Sequence, residues 1–327
     1  MKNRYSILKI SFIILCLICL TACRSPNREE EEKDGKLTIL TTIFPEYDWV
    51  RNIAGEDQDF CDVSMLLDQG VDMHSYQPSA DDILKIGSSD IFIYVGGESD
   101  AWVTDTLNNI KDKKTRVINL LEILGDTAKE EETVEGMQSE ETEEEQAAPA
   151  RDEHVWLSLR NAAALTDRIC QVMSEADPEH SAVYQENASA YIGELDRLDK
   201  EYQDTVSAAR IRTLLFGDRF PFRYMTEDYG LEYYAAFPGC SAETEASFET
   251  ITFLAEKTDE LSLNAVLTIE GTDHRMAETI VSNTKTGDQK ILTLNSMQSV
   301  SGEDIDRGAD YLTIMKENLA VLKEALQ

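Results

Sequence analysis

The sequence predicts an α/β protein of two lobes, each holding a four-stranded parallel sheet, joined by one long backbone helix. Three observations carry that expectation. Short β-rich runs alternate with helical runs through residues 37–120, and the same alternation restarts at 213. Between the two arrays, Tyr184, Ala188, Tyr191, Leu195, Leu198, Tyr202 and Val206 recur at spacings of four and three. That recurrence is one apolar stripe down one side of a single helix over about 178–208, roughly 45 Å long at 1.5 Å per residue.

In the first array, residues 37–44 are β-rich, 46–54 helical, and Gly55 is a natural stop. A second strand at 60–67 opens into a turn-forming loop from Asp68 to Pro78. Ser79 then caps a helix, with Asp82 three residues on, and Gly87 ends it. Residues 90–95 form a strand, 102–110 a helix and 115–120 a strand. Parallel strands joined by helices imply right-handed crossovers. The first lobe therefore occupies 36–125.

Composition changes sharply from 126 to 152. Nine glutamates fall between Glu130 and Glu145, with no lysine or arginine until Arg151, so self-repulsion and a lack of apolar residues predict a disordered loop. Such a run is either a solvated spacer or a weak cation-collecting arm. A helical segment around 161–173 follows within the stretch 153–210, and the long helix begins with Asp177 as N-cap and Pro178 as first helical residue. The second lobe occupies 211–327, with strands at 213–216, 232–236, 264–269 and 290–294. Helices lie at 222–228, 247–257, 273–282 and 309–326. Two such lobes enclose a cleft, and open α/β sheets bind ligands at the carboxyl ends of their strands.

Residues 1–23 read as a leader: Lys2 and Arg4 precede an apolar stretch from 10 to 20 that is too short to span a bilayer comfortably. It closes on Leu20-Thr21-Ala22-Cys23, similar to a bacterial lipoprotein box. Cleavage before Cys23 and acylation of its thiol would tether the chain to the outer face of a membrane. Residues 24–35 form the charged tether. The formal net charge of -33 excludes nucleic acid as a partner, because nothing would neutralise phosphates, and it suits the capture of cations. Beyond the leader only Cys61, Cys170 and Cys240 remain. Three thiols without a C-x-x-C spacing are not a disulfide framework. Cys61 and Cys170 are read as small buried hydrophobes, and Cys240 as a turn residue with no catalytic role.

The chain has four histidines. His74 follows a first-lobe strand, and His154 sits where the acidic run gives way to helix, so both face the cleft. A single histidine is commonly a hydrogen-bonded structural residue, but two beside acidic residues point toward a metal site. His180 belongs to the first turn of the long helix, and His274 starts a helix after Glu270. The segment Gly70-Val71-Asp72-Met73-His74-Ser75-Tyr76-Gln77-Pro78 resembles the G-x-D-P-H-x-Y-E-P segment of substrate-binding lipoproteins of zinc and manganese uptake ABC transporters. Asp152-Glu153-His154-Val155-Trp156-Leu157 is similar to their D-P-H-x-W-L segment. The resemblance runs from about residue 37 to the C-terminus and implies the TroA-like fold of that helical-backbone receptor family. It also implies a monomer that hands its metal to a membrane permease. Zinc-specific members often carry a polar loop before the second histidine, where this chain has its glutamates.

The resemblance further implies a third ligand from the strand opening the second lobe. Here Phe216-Gly217-Asp218-Arg219-Phe220 offers Asp218 and no histidine. The family's fourth ligand is an aspartate near a later strand end, where this chain has Asn295, and Glu270 is a substitute or a supporting partner. The expected ligand set is therefore His74, His154 and Asp218, completed by Asn295 or Glu270. Zn2+ is the expected cargo and Mn2+ the alternative, since oxygen donors make the site harder. Two other readings stay open: a surface adhesin or scaffold on the same fold with a degraded site, and a metal-dependent hydrolase. H-E-x-x-H, G-x-S-x-G and a phosphate-binding G-x-x-x-x-G-K-[ST] are all absent, which leaves the hydrolase without a motif.

Overall fold

The structure is a computed structural model that describes residues 35–55, 59–110, 114–138, 150–241 and 245–327. Cys23, the rest of the leader and all but the last residue of the tether lie outside the described residues. So does the middle of the acidic run, 139–149.

Strand β1 (Leu37–Thr41) leads into helix α1 (Phe44–Ala54), whose Glu46 carboxylate reaches back to the backbone N–H groups of Thr42 and Ile43. The helix begins two residues before the sequence reading because Pro45, lacking an N–H, suits a first turn. Strand β2 (Cys61–Met65), α2 (Ala80–Ser88), β3 (Ile91–Tyr94), α3 (Ala101–Asn109) and β4 (Arg116–Asn119) follow. The capping box of Ser79 and Asp82 opens α2 as expected, and the helix runs through Gly87 to Ser88. All four strands are parallel, in the order β2-β1-β3-β4. A short α4 (Leu120–Leu124), capped by the Asn119 carboxamide, was not legible because five residues carry too little periodicity.

The acidic run is not wholly a disordered loop. Its ends pair: the Glu131 N–H bonds the Ala150 carbonyl at 2.7 Å, and Glu130 bridges Arg151 in antiparallel fashion. Farther on, the Gln138 N–H donates to the Ala236 carbonyl. Charge repulsion is offset here by Arg223, which contacts Glu132 and the Glu130 carbonyl, while Lys129 pins the start of the run to Glu227 of the second lobe at 2.5 Å.

Helix α5 (Leu159–Ala176) precedes the spine α6 (Ser181–Ala208), in which all seven stripe residues are buried. At 28 residues it spans about 42 Å. It starts three residues later than expected because Asp177 does not cap it. Instead the Asp177 carboxylate accepts from His180 Nδ1 at 2.7 Å and from the Tyr184 hydroxyl at 2.8 Å. The spine touches both lobes through its tyrosines. Tyr191 donates to Asp48 of α1 at 3.2 Å, and Tyr202 donates at 2.6 Å to the Met315 carbonyl.

The second lobe contains β5 (Thr213–Phe220), α7 (Arg223–Tyr229), β6 (Glu232–Pro238) and α8 (Phe248–Glu260). It continues through β7 (Ala265–Ile269), α9 (Arg275–Ser282), β8 (Lys290–Leu294), α10 (Gly302–Asp306) and α11 (Tyr311–Ala325). The sheet order β6-β5-β7-β8 repeats that of the first lobe, and its strands are again all parallel. Strand β5 is four residues longer than expected and shifts register between Phe216 and Arg219. Gly217 sits in that shift because α9 packs so closely that a Cβ would lie 2.8 Å from the Ala277 Cα.

Side chains alternate across the second sheet. Leu214 and Phe216 join the main core with the spine, whereas Leu215 joins a smaller core with Phe237, Leu254, Val266 and Ile280. Two connections meet at Trp156: its indole N–H donates to the Ser296 carbonyl at 2.8 Å, and its own carbonyl accepts from the Tyr311 hydroxyl at 2.6 Å. The segment that carries His154 is thereby held against the second lobe.

Candidate metal centre

Each lobe's strand order reverses beside its first strand, and the side chains that meet between the lobes all follow the carboxyl ends of strands or the segment anchored by Trp156. His74 lies in a single 3-10 turn, Met73–Ser75, capped by Asp72, whose carboxylate accepts the His74 N–H at 3.0 Å. His154 immediately precedes another such turn, Val155–Leu157, and is fully buried. Asp152 fixes it twice, accepting the His154 backbone N–H at 2.9 Å and facing the ring Nδ1 at 3.0 Å.

The far sides of both rings are thus committed. His74 Nδ1 lies 2.7 Å from Ser99 Oγ and 3.6 Å from Glu153 Oε2. With Nδ1 of each ring engaged, the Nε2 atoms face one another at 3.2 Å. Two imidazole lone pairs held this close repel unless something positive or a donor is shared between them. The Gln298 side-chain amide nitrogen fills that role, at 2.7 Å from His74 Nε2 and 2.8 Å from His154 Nε2. Gln298 Oε1 is turned to the Ser296 hydroxyl at 3.1 Å.

Burial, and then the proximity of His154, hold the His74 imidazole down to about 3, so it is neutral at physiological pH. Behind it stands a row of buried carboxyls. Burial raises Glu153 above the usual carboxylate range, pushes Asp100 up to about 7 and pushes Glu46 up to about 8, with neighbouring carboxyls adding to the effect for the latter two. Gly97 lets Glu153 in, since a Cβ there would lie 2.3 Å from Glu153 Oε1.

Among the described histidines, cysteines and acids, the three whose ligand atoms come within 4.8 Å of one another are His74, His154 and Cys240. Cys240 follows β6, and its N–H donates to the Glu131 carboxylate at 3.2 Å, so the foot of the acidic run touches the centre. Burial first, and then the carboxyls of Glu153, Glu131 and Asp152, push its thiol well above its ordinary range. The Cys240 and Gln298 positions were missed by sequence reasoning. The available signal for Cys240 was its place at a second-lobe strand end; Gln298 gave none beyond lying three residues past Asn295.

The structure does not bring the other expected ligands to the histidines. Asp218 lines the same cleft as His74, but both its oxygens are used, one by the Arg219 N–H and the other by the Ile269 N–H and the Thr272 hydroxyl. It stitches the ends of β5 and β7. The neighbouring Arg219 instead reaches across the cleft to Asp72 at 2.7 Å. Asn295 turns to the closing helix, exchanging two 2.8 Å backbone hydrogen bonds with the Asn318 side chain. Glu270 accepts from the Ser296 N–H and hydroxyl and from the Gln298 N–H, so it acts as a support for the Gln298 loop. His180 stacks on Phe60 with ring centres 4.2 Å apart, away from the centre.

A cavity of about 820 Å³ opens beside the centre, lined by Asp72, His74, Asp218, Arg219, Ser241 and His274 among others. The His74 side chain retains 10% exposure whereas that of His154 has none, so access is past His74. Two convergent imidazoles, each engaged at its far nitrogen by an oxygen, suit a borderline divalent metal such as zinc.

Residues 39–325 match the family ZnuA, described as zinc-uptake complex component A, periplasmic. The chain is 31% identical over 319 residues to the zinc-binding lipoprotein AdcA of Streptococcus pneumoniae, a match covering 97% of this chain and 60% of that protein. It therefore spans about three fifths of the length of that relative. It is 28% identical over 322 residues to the high-affinity zinc uptake system protein ZnuA of Bacillus subtilis, with 96% of both chains covered. The crystal structure of the Zn(II)-bound ZnuA-like domain of Streptococcus pneumoniae AdcA is similar with a TM-score of 0.70 at 29% identity. That match covers 89% of this chain and 99% of that one.

Proposed function

The chain belongs to the zinc-uptake complex component A family, and from that premise we propose that it is an extracytoplasmic receptor that captures zinc between its lobes and delivers it to the permease of an ABC importer. The role is carriage rather than turnover. The observation that carries the reading is the pair of imidazole Nε2 atoms 3.2 Å apart, each ring oriented from behind by Asp152 or Ser99. The names of the relatives from Streptococcus pneumoniae and Bacillus subtilis point to the same cargo. Two nitrogen donors favour zinc over manganese, which prefers carboxylate and water.

On this reading the protein works as a monomer, held to the outer face of the membrane by a lipid on Cys23. The acidic run adds a loose, salt-sensitive attraction for cations.

Native mass spectrometry of the purified chain, titrated separately with zinc and manganese, tests the assignment. One tight equivalent of zinc is expected, with affinity falling by at least about 100-fold in the double variant His74→Ala, His154→Ala. Equal and loose uptake by both proteins would mean that the glutamates alone bind metal, and the receptor reading would fail.

A further inference from the structure

We propose that Cys240 is the third protein ligand of the captured metal, making the centre a His74–His154–Cys240 site in place of the Asp218 site anticipated from sequence. This assignment rests on the reading of the chain as a metal receptor and names how its own site is completed.

Three observations converge on it. The sulfur lies within 4.8 Å of the ligand atoms of both histidines. Tetrahedral zinc, with bonds of about 2.0–2.3 Å, sets its donor atoms roughly 3.3–3.8 Å apart. The two Nε2 atoms already stand at 3.2 Å, so an inward shift of the sulfur on the order of 1 Å or less closes the triangle around a bound metal. Second, the turn that carries Cys240 is pressed onto the imidazole. A Cβ on Gly239 would lie 2.8 Å from His154 Cε1, so only glycine allows the approach that places the next residue alongside the ring. Third, the competing donors are already used. Asp218, Glu270 and Asn295 spend their side-chain oxygens on backbone and hydroxyl groups, and Arg219 brings a positive charge to the position where β5 ends.

As the sulfur–metal bond forms, the S–H proton passes to buffer and no electron changes hands. The fourth position is left to the Gln298 amide, which must surrender its bonds to the two Nε2 atoms, or to water. A thiolate is a softer donor than the carboxylate it replaces, which moves the site further toward zinc and away from manganese.

The purified full chain, reduced and loaded with cobalt(II) as a spectroscopic probe, tests the proposal. An intense thiolate-to-cobalt charge-transfer band in the near ultraviolet is expected. It should vanish in Cys240→Ser, with zinc affinity falling by about 100-fold, and persist in the control Cys170→Ser. One equivalent of zinc should also protect Cys240 from alkylation, read by peptide mass. If Cys240→Ser does not fold, the wild-type spectrum and the protection decide. Stoichiometric cobalt without the charge-transfer band, or unchanged affinity in Cys240→Ser, would overturn the ligand assignment and leave the receptor reading standing. No stoichiometric metal in the wild type would overturn both.

Discussion

Asp152 does its work on a single ring. By accepting from His154 Nδ1 it sets which imidazole nitrogen carries the proton, and its negative charge makes Nε2 a better donor. Asp152→Asn keeps an oxygen acceptor but loses the charge, so zinc affinity should fall about tenfold with the one-equivalent stoichiometry intact. Competition against a chromophoric chelator would show this, and an unchanged affinity would remove Asp152 from the account. Gln298 is the other decisive residue at this scale. Its amide shows that the two histidines need a shared donor, which a carboxylate could not supply without a proton.

At the scale of the element, α1 carries a titration that has consequences for stability. Glu46 accepts from Thr42 and Ile43 at the mouth of the helix while fully buried, and burial, followed by Asp100, pushes it up to about 8 from an ordinary 4.5. Between those values the folded chain keeps a proton that the unfolded chain has released. The stability this confers is complete below pH about 4.5 and is lost as pH rises through about 8. Glu46→Gln should therefore flatten the fall in stability over that window by on the order of 3 kcal/mol, measured by urea unfolding of the metal-free protein at a series of pH values. A variant with the wild-type slope would sink the claim. Asp100 and Asp48, pushed up to about 7 and about 6, titrate with the same sign and remain in the variant.

Elements differ in how plainly they are written. The spine's seven apolar positions follow one helical period, and a 28-residue repeat outweighs local exceptions. Its start is local chemistry, and there Asp177 chose His180 and Tyr184 over a cap. The five-residue α4 and α10 have too few turns to display a face.

For the whole molecule, the pair Arg219–Asp72 closes one lobe upon the other at the mouth of the site, with both side chains less than a third exposed. Asp72 also caps the turn that holds His74, so the contact ties lobe closure to the placement of that imidazole. Arg219→Ala should lower the stability of the metal-free protein by about 1–2 kcal/mol and speed amide exchange across 70–78. It should also raise affinity for zinc, because a positive charge that helps hold His74 down is removed. Exchange that stays unchanged in that loop would show that the spine contacts of Tyr191 and Tyr202, and not the Arg219–Asp72 pair, hold the lobes.

By itself the sequence determined the two parallel α/β lobes, the spine between them, the family, and the two segments that bring His74 and His154 to the cleft. Those are properties of periodicity and of short contiguous motifs, which need no knowledge of distant neighbours. Tertiary structure alone decided which side chains gather around the two histidines. Asp218 and Asn295 stand close to the right place in the chain, yet the side-chain oxygens of Asp218 are taken up by Arg219, Ile269 and Thr272, and that of Asn295 by the Met297 N–H. Cys240 and Gln298, from two different strand ends, are brought to the histidines by a glycine that admits an imidazole and by a loop held on Glu270. A hydrogen-bonding group has a few partners to choose among, and which partner it takes depends on contacts made by residues far away in the chain.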